Sequence, residues 1–146
     1  MSSKFIIFVL GVALVVFCAY VFRDRIPSPT VSAKRPYSAP NGHKVAPLEQ
    51  GSEQFEVWDR PGAIGRDYFC AAAKYAEAVL RAEPTDHLRV TTAFGPSQVR
   101  DNRRAVGFEL VGATELGDST APNNRAPVID QPGESRSILV SRRFCA

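Results

Sequence analysis

The 146-residue chain predicts an α+β fold: one amphipathic helix packed on a small antiparallel sheet of about three to four strands, preceded by an N-terminal single transmembrane helix and a Pro-rich linker. Three observations carry this expectation. An unbroken apolar run occupies residues 5–22. An alanine-rich stretch of helical period runs over 67–83, and short alternating segments flank it.

Residues 1–4 form a short tail. The run that follows, FIIFVLGVALVVFCAYVF, holds no charge and is closed by Arg23, Asp24 and Arg25. It lies at the short end of the about 17–25 apolar residues that span a bilayer core. A cleavable signal peptide has an apolar region of about 7–15 residues with a small-residue cleavage site close behind. This run is longer, and the nearest site of that kind, Val31-Ser32-Ala33, lies well past its end. An uncleaved anchor is therefore favoured over a removed signal. Cys18 follows Phe17 rather than a small residue, so it reads as one more apolar residue of the span and not as an acylation site.

Residues 23–53 read as a basic, flexible linker. Prolines are dense there and no apolar period is visible, which favours extended, polyproline-like chain. His43 falls inside this stretch and reads as a solvated linker residue. Residues 54–146 are then the folded domain, near the size at which a single core is sufficient.

Within the domain, 54–60 (QFEVWDR) alternates, with Phe55, Val57 and Asp59 on one side and Glu56 and Trp58 on the other. Pro61 and Gly62 end that strand. The helix over 67–83 takes Asp67 as its N-cap. Its apolar face is Phe69, Ala72, Ala73, Ala76, Val79 and Leu80; Lys74, Glu77 and Arg81 lie opposite, and Pro84 stops it. Two more alternating runs, 87–94 and 104–111, predict an antiparallel pair joined through a turn at Asp101 and Asn102. Residues 112–136 are rich in Gly, Pro, Asn, Ser and Thr and predict a long loop, with a short extended piece at Val128 and Ile129. A last strand over 137–144 presents Ile138, Val140 and Phe144.

The net charge is +3, unevenly placed. Residues 1–50 carry six Lys/Arg against two acids, and residues 51–146 carry twelve against thirteen. The basicity belongs to the membrane-proximal segment, which suits anionic lipid as a partner. A near-neutral domain argues against nucleic-acid binding.

Apart from Cys18 there are two cysteines, Cys70 and Cys145. An even pair in a small domain suits a disulfide in an oxidising compartment such as a bacterial periplasm. Two reduced, buried thiols satisfy the same count. A bridge would close a loop of about 75 residues, worth roughly 4 kcal/mol on the chain-entropy model. Strict alternation along 137–144 turns Cys145 away from the Phe144 side, so the bridge requires that strand to twist or fray. Orientation is in tension: the Lys/Arg count after the span (Arg23, Arg25, Lys34, Arg35, Lys44) holds the domain in the cytoplasm, whereas the cysteine pair favours export.

The stretch GAIGRDYFCAAAKYAEAVL, with LRVTTAFGP and RRAVGFEL after it, resembles a group of small uncharacterised alphaproteobacterial proteins. These share an N-terminal hydrophobic segment and an aromatic-Cys-Ala-Ala motif, here Tyr68, Phe69, Cys70, Ala71 and Ala72. The resemblance covers residues 55–111 and the Cys145 region. It implies an anchored or exported location and a paired cysteine, and brings no activity with it.

Candidate chemistry is sparse. Cys70 in a first helical turn, with His87 as base, has the elements of a nucleophilic pair, but no catalytic signature surrounds either residue. Gly62, Gly65 and Arg66 lead into the helix and suggest anion binding at Gly65 and Arg66, although a plain strand-to-helix turn explains the same residues. Arg103, Arg104, Arg142 and Arg143, with Arg100, form a basic set suited to lipid phosphates or a partner's carboxylates. Two distant histidines and no CxxC give no metal centre, and no cofactor motif is present. The expectation is a single-pass inner-membrane protein with a periplasmic, non-catalytic accessory domain, a further membrane or periplasmic protein as partner, and no nucleic acid. The alternative is a small-ligand binder or enzyme built on residues 62–70.

Overall fold

The computed structural model describes residues 35–115 and 125–145. The tail at 1–4, the expected anchor at 5–22, Arg23 and Arg25 lie outside them. No helix among the described residues is long and apolar enough to cross a membrane.

The described strands are β1 (Tyr37–Ser38), β2 (Lys44–Pro47), β3 (Gln54–Trp58), β4 (His87–Pro96), β5 (Arg104–Val111) and β6 (Ser135–Ser137). They form one antiparallel sheet in the order β1-β2-β3-β5-β4-β6. Helix α1 (Gly65–Tyr75) continues as a π-helical segment (Ala76–Leu80), and a short α2 (Ile138–Ser141) runs into a 3-10 turn (Arg142–Cys145). The α+β class and the single main helix on an antiparallel sheet agree with the sequence. The sheet is wider than expected, for two reasons.

First, the segment expected to be linker supplies β1 and β2. Val45 pairs with Val57 on one side and Tyr37 on the other, and is fully buried. Among the described residues the sheet thus starts at Tyr37, well before residue 54, and His43 is 2% exposed rather than solvated. Second, the last strand is short. Only Ser135–Ser137 pairs, against His87, Leu88 and Arg89. Ser137 then acts as an N-cap, its Oγ accepting from the Val140 N–H at 3.3 Å, and the chain turns helical. The expected strand over 137–144 is therefore a helical turn, which brings Cys145 back towards α1 without strand alternation.

One face of the sheet carries the main core. Phe55 lies opposite Phe108, and Phe108 opposite Val90; Val57 lies opposite Val106. Phe69 meets Phe108 edge-on at 5.1 Å, and Tyr75 meets Phe55 at 4.7 Å. Alanines at 71, 72, 73 and 76, all fully buried, let α1 lie close to its neighbours on both sides. Fully burying a Phe or Leu side chain contributes about 1.5–3 kcal/mol, and this layer holds the larger of the two apolar clusters.

The helix differs from expectation at both ends. It starts at Gly65, with Ile64 as N-cap, and Asp67 sits in the first turn, where its carboxyl accepts from the Ile64 N–H at 2.8 Å. At the far end the π-helical widening stops at Arg81, which adopts a left-handed conformation (φ 62°), with Ala82 N–H bonding back to Ala76 O at 3.0 Å. The helix ends at Leu80, four positions before Pro84. The wider turn leaves Val79 48% exposed and separates Arg81 from Glu77. Glu77 instead pairs with Lys74 (3.6 Å) and Arg142 (3.5 Å).

Gly107 marks the tightest packing on the opposite face. A Cβ there would meet Thr92 Cβ at 2.8 Å and Thr91 Oγ1 at 3.0 Å, where β4 breaks register. Gly107→Ala is expected to cost about 1–3 kcal/mol through overpacking, read as a lower urea midpoint with an unchanged m-value.

Candidate functional site

Three groups of polar side chains stand out, each positioned by a different part of the sheet. The first is the start of α1. A Cβ on Gly65 would lie 2.3 Å from the Pro127 carbonyl oxygen, so the 125–134 segment packs directly on the helix start. Two acceptors, the Pro127 carbonyl and the Asp67 carboxyl, occupy the region where a bound anion would need donors. The Arg66 guanidinium lies over the Phe144 ring, 5.5 Å from its centre. One helical turn on, Cys70 is bonded to Cys145 across a Cα–Cα distance of 5.1 Å, within the usual range for a disulfide. A cysteine in a disulfide holds no thiolate, so Cys70 is not available as a nucleophile. His87 sits on β4 between Val111 and Ser137, with Nδ1 buried and without a hydrogen-bond partner.

The second group joins β2, β3 and α1. His43 Nδ1 is 2.8 Å from the Trp58 carbonyl, which can only accept, so Nδ1 carries the proton. The imidazole packs on the Tyr68 ring at 5.0 Å, and the Tyr68 hydroxyl donates to Asp59 Oδ1. Burial pushes the Tyr68 phenol well above its ordinary value, and the bond to the Asp59 carboxyl and that group's negative charge push it the same way. Asn41 ties the β1–β2 turn to α1 by donating to the Asp67 carbonyl at 2.8 Å. These contacts make the group a clasp between the N-terminal hairpin and the helix.

The third group lies on the sheet face away from α1. Alternation in β3 sends Glu56 and Trp58 to this side, as the sequence indicates. Glu56 is 1% exposed, and its carboxyl oxygens accept from Trp58 Nε1 (2.6 Å), from Ser97 Oγ and from the Gln98 N–H (2.9 Å). The β4–β5 connection is thereby pinned over Trp58. Ser97 Oγ in turn accepts from the Arg100 N–H at 3.0 Å, and Asn102 makes the turn in a left-handed conformation (φ 60°). Arg100 and Arg103 lie 5.2 and 6.0 Å above the Trp58 ring; Arg104, next to Ala105 in β5, points to the α1 face instead, 4.0 Å from the centre of the Phe94 ring that packs on Tyr68. All three arginines are exposed, and none is in an ion pair among the described residues.

The expected basic set is thus divided. Arg103 and Arg104, with Arg100, stand at the Pro96 end of the β4–β5 hairpin. Arg142 and Arg143 stand on the 3-10 turn after β6, which pairs with the other end of β4, and Arg142 is engaged by Glu77. Beside the arginine loop runs a shallow groove of about 390 Å³ lined by Leu48, Glu49, Ser52, Gln54, Gln98 and Val99. Its one charged side chain is a carboxylate, which does not suit an anionic ligand. Among the described residues no group of three or more His, Cys, Asp or Glu side chains is placed to hold a metal ion.

Two participants, Glu56 and His43, carry no clear sequence signal. Glu56 reads as the solvent side of a half-buried strand, and His43 sits in a Pro-rich context. No family profile, curated protein or solved structure matches this chain.

Tyr68 allows a pH test with a definite sign. Its folded-state pKa is raised above the unfolded value near 10, so its contribution is fully present below that pH. It is lost as pH rises from about 10 through the folded value, because only the unfolded chain releases the proton there. Tyr68→Phe is expected to cost about 1 kcal/mol at neutral pH through the lost hydrogen bond and to flatten the alkaline fall in stability, both read by urea unfolding across pH.

Proposed function

We propose that this chain is a single-pass membrane protein whose C-terminal domain is exported and acts as a non-catalytic interaction module of a membrane or envelope complex. The Cys70–Cys145 bond is the observation that carries this reading. It joins residues 75 positions apart, and bonds of that kind persist in oxidising compartments. With the apolar run at 5–22, it favours a domain held on the exported side of the membrane. The bacterial inner membrane as the setting rests on the resemblance of the motif at 68–72.

The polar groups of the domain support binding over chemistry. His43 and Tyr68 are engaged in joining elements, Cys70 is bridged, and Glu56 has three donors. The exposed arginines at 100, 103 and 104, without an ion pair among the described residues, are the groups offered here to a partner. The other reading, a small anion held at residues 62–70, has less support, since acceptor oxygens rather than donors crowd the helix start.

The test is topology in intact cells. The chain is expected to stay with membranes through alkaline carbonate washing, and its domain to be degraded by protease added to spheroplasts. Protection of the domain until the membrane is broken would overturn the exported orientation.

A further inference from the structure

We propose that the loop over 97–104 is a docking surface for anionic lipid headgroups, with Arg100, Arg103 and Arg104 gripping phosphates and Val99 entering the headgroup layer. The proposal rests on the anchored reading above only for bringing the loop to a bilayer.

Four observations carry it. The three guanidiniums are exposed and without carboxylate partners among the described residues. Arg100 and Arg103 are seated on Trp58, and Arg104 on Phe94 across the hairpin, so all three are held rather than free and less side-chain entropy is lost when phosphates bind at the hairpin tip. The loop itself is preformed, because the buried Glu56 carboxyl fixes Ser97 and Gln98, and Ser97 Oγ fixes Arg100. Charge is concentrated there: residues 97–104 carry three arginines against Asp101, whereas residues 51–146 as a whole carry twelve basic groups against thirteen acids.

Val99 decides between a lipid surface and an acidic protein segment. It is 38% exposed, immediately beside Arg100. An exposed apolar side chain next to a cation, on the rim of a groove whose one charged group is Glu49, fits a boundary where the arginines meet phosphates and Val99 meets the acyl chains beneath. The same chain carries an uncharged run of 18 residues at 5–22. Once that run is in the bilayer, docking becomes intramolecular, and individually weak phosphate contacts suffice.

Trp58, the only tryptophan of the chain, lies under this loop and serves as the reporter. The full chain is placed in vesicles of phosphatidylcholine alone and of phosphatidylcholine mixed with phosphatidylglycerol, each with a headgroup-spin-labelled lipid as quencher. Quenching of Trp58 is expected to be roughly twofold or more stronger in the anionic vesicles, and to fall to the neutral level in high salt and in the double variant Arg103→Glu, Arg104→Glu. Near-ultraviolet circular dichroism checks that the variant is folded; if it is not, Arg103→Gln alone, on an exposed turn, makes the comparison. Equal quenching in both lipids overturns the proposal. So does a Trp58 response to polyglutamate without one to phosphatidylglycerol, which would assign the surface to an acidic protein segment. Carbonate washing of the same vesicles separates the two readings: a washable chain whose Trp58 still responds to anionic lipid keeps the docking surface and removes the anchor, and a resistant chain indifferent to lipid charge does the reverse.

Discussion

The Cys70–Cys145 bond ties the first part of α1 to the last described residue of the chain, and the arrangement of everything after β6 depends on it. The C-terminal segment has little of its own to hold it: one helical turn and one 3-10 turn, with Leu139 39% exposed. It packs against α1, where Cys70, Ala71 and Ala73 have no solvent exposure. A small helix sandwiched between a sheet and so short a cover is marginal on apolar burial alone. A cross-link over a loop of this length limits the unfolded chain most, so the bond supplies what the cover cannot.

Buried polar groups in the domain act as fasteners as well. Glu56 is buried against three donors and fixes the β4–β5 connection. Arg136, 2% exposed on β6, donates to the Ser135 and Arg125 carbonyls and pairs with Glu134 at 2.6 Å. His43 and Tyr68 clasp the N-terminal hairpin to α1. In each case a loop too polar to join the apolar core is held by a hydrogen bond that is expensive to break once buried. A surface loop held this way keeps one shape, and the arginines on it inherit that order.

The centre of the fold was legible because period and propensity agree there. The alanine-rich stretch announces its helix, and the alternation of Val106, Phe108 and Leu110 announces β5. The disagreements have definite causes. Pro47 makes β2 look like linker, yet β1 is only two residues long and leaves that end of β2 as an edge, where a missing N–H is tolerated. Ile138, Val140 and Phe144 imitate a strand, but Ser137 caps a helix start, a signal the alternation hides. That same change of conformation removes the apparent conflict over Cys145. Of the candidate site, the arginines at 103 and 104 were visible, but their separation from Arg142 and Arg143 follows from β6 pairing with the His87 end of β4, which no local pattern encodes.

One covalent bond, Cys70–Cys145, closes the domain. The direct measurement is peptide mapping by mass spectrometry, without reductant, of chain taken from acid-quenched cells and alkylated before digestion. The expected result is a linked pair of peptides containing Cys70 and Cys145, with any alkylation confined to Cys18. Full alkylation of both Cys70 and Cys145 would contradict it, and with it the exported setting on which the proposed role depends.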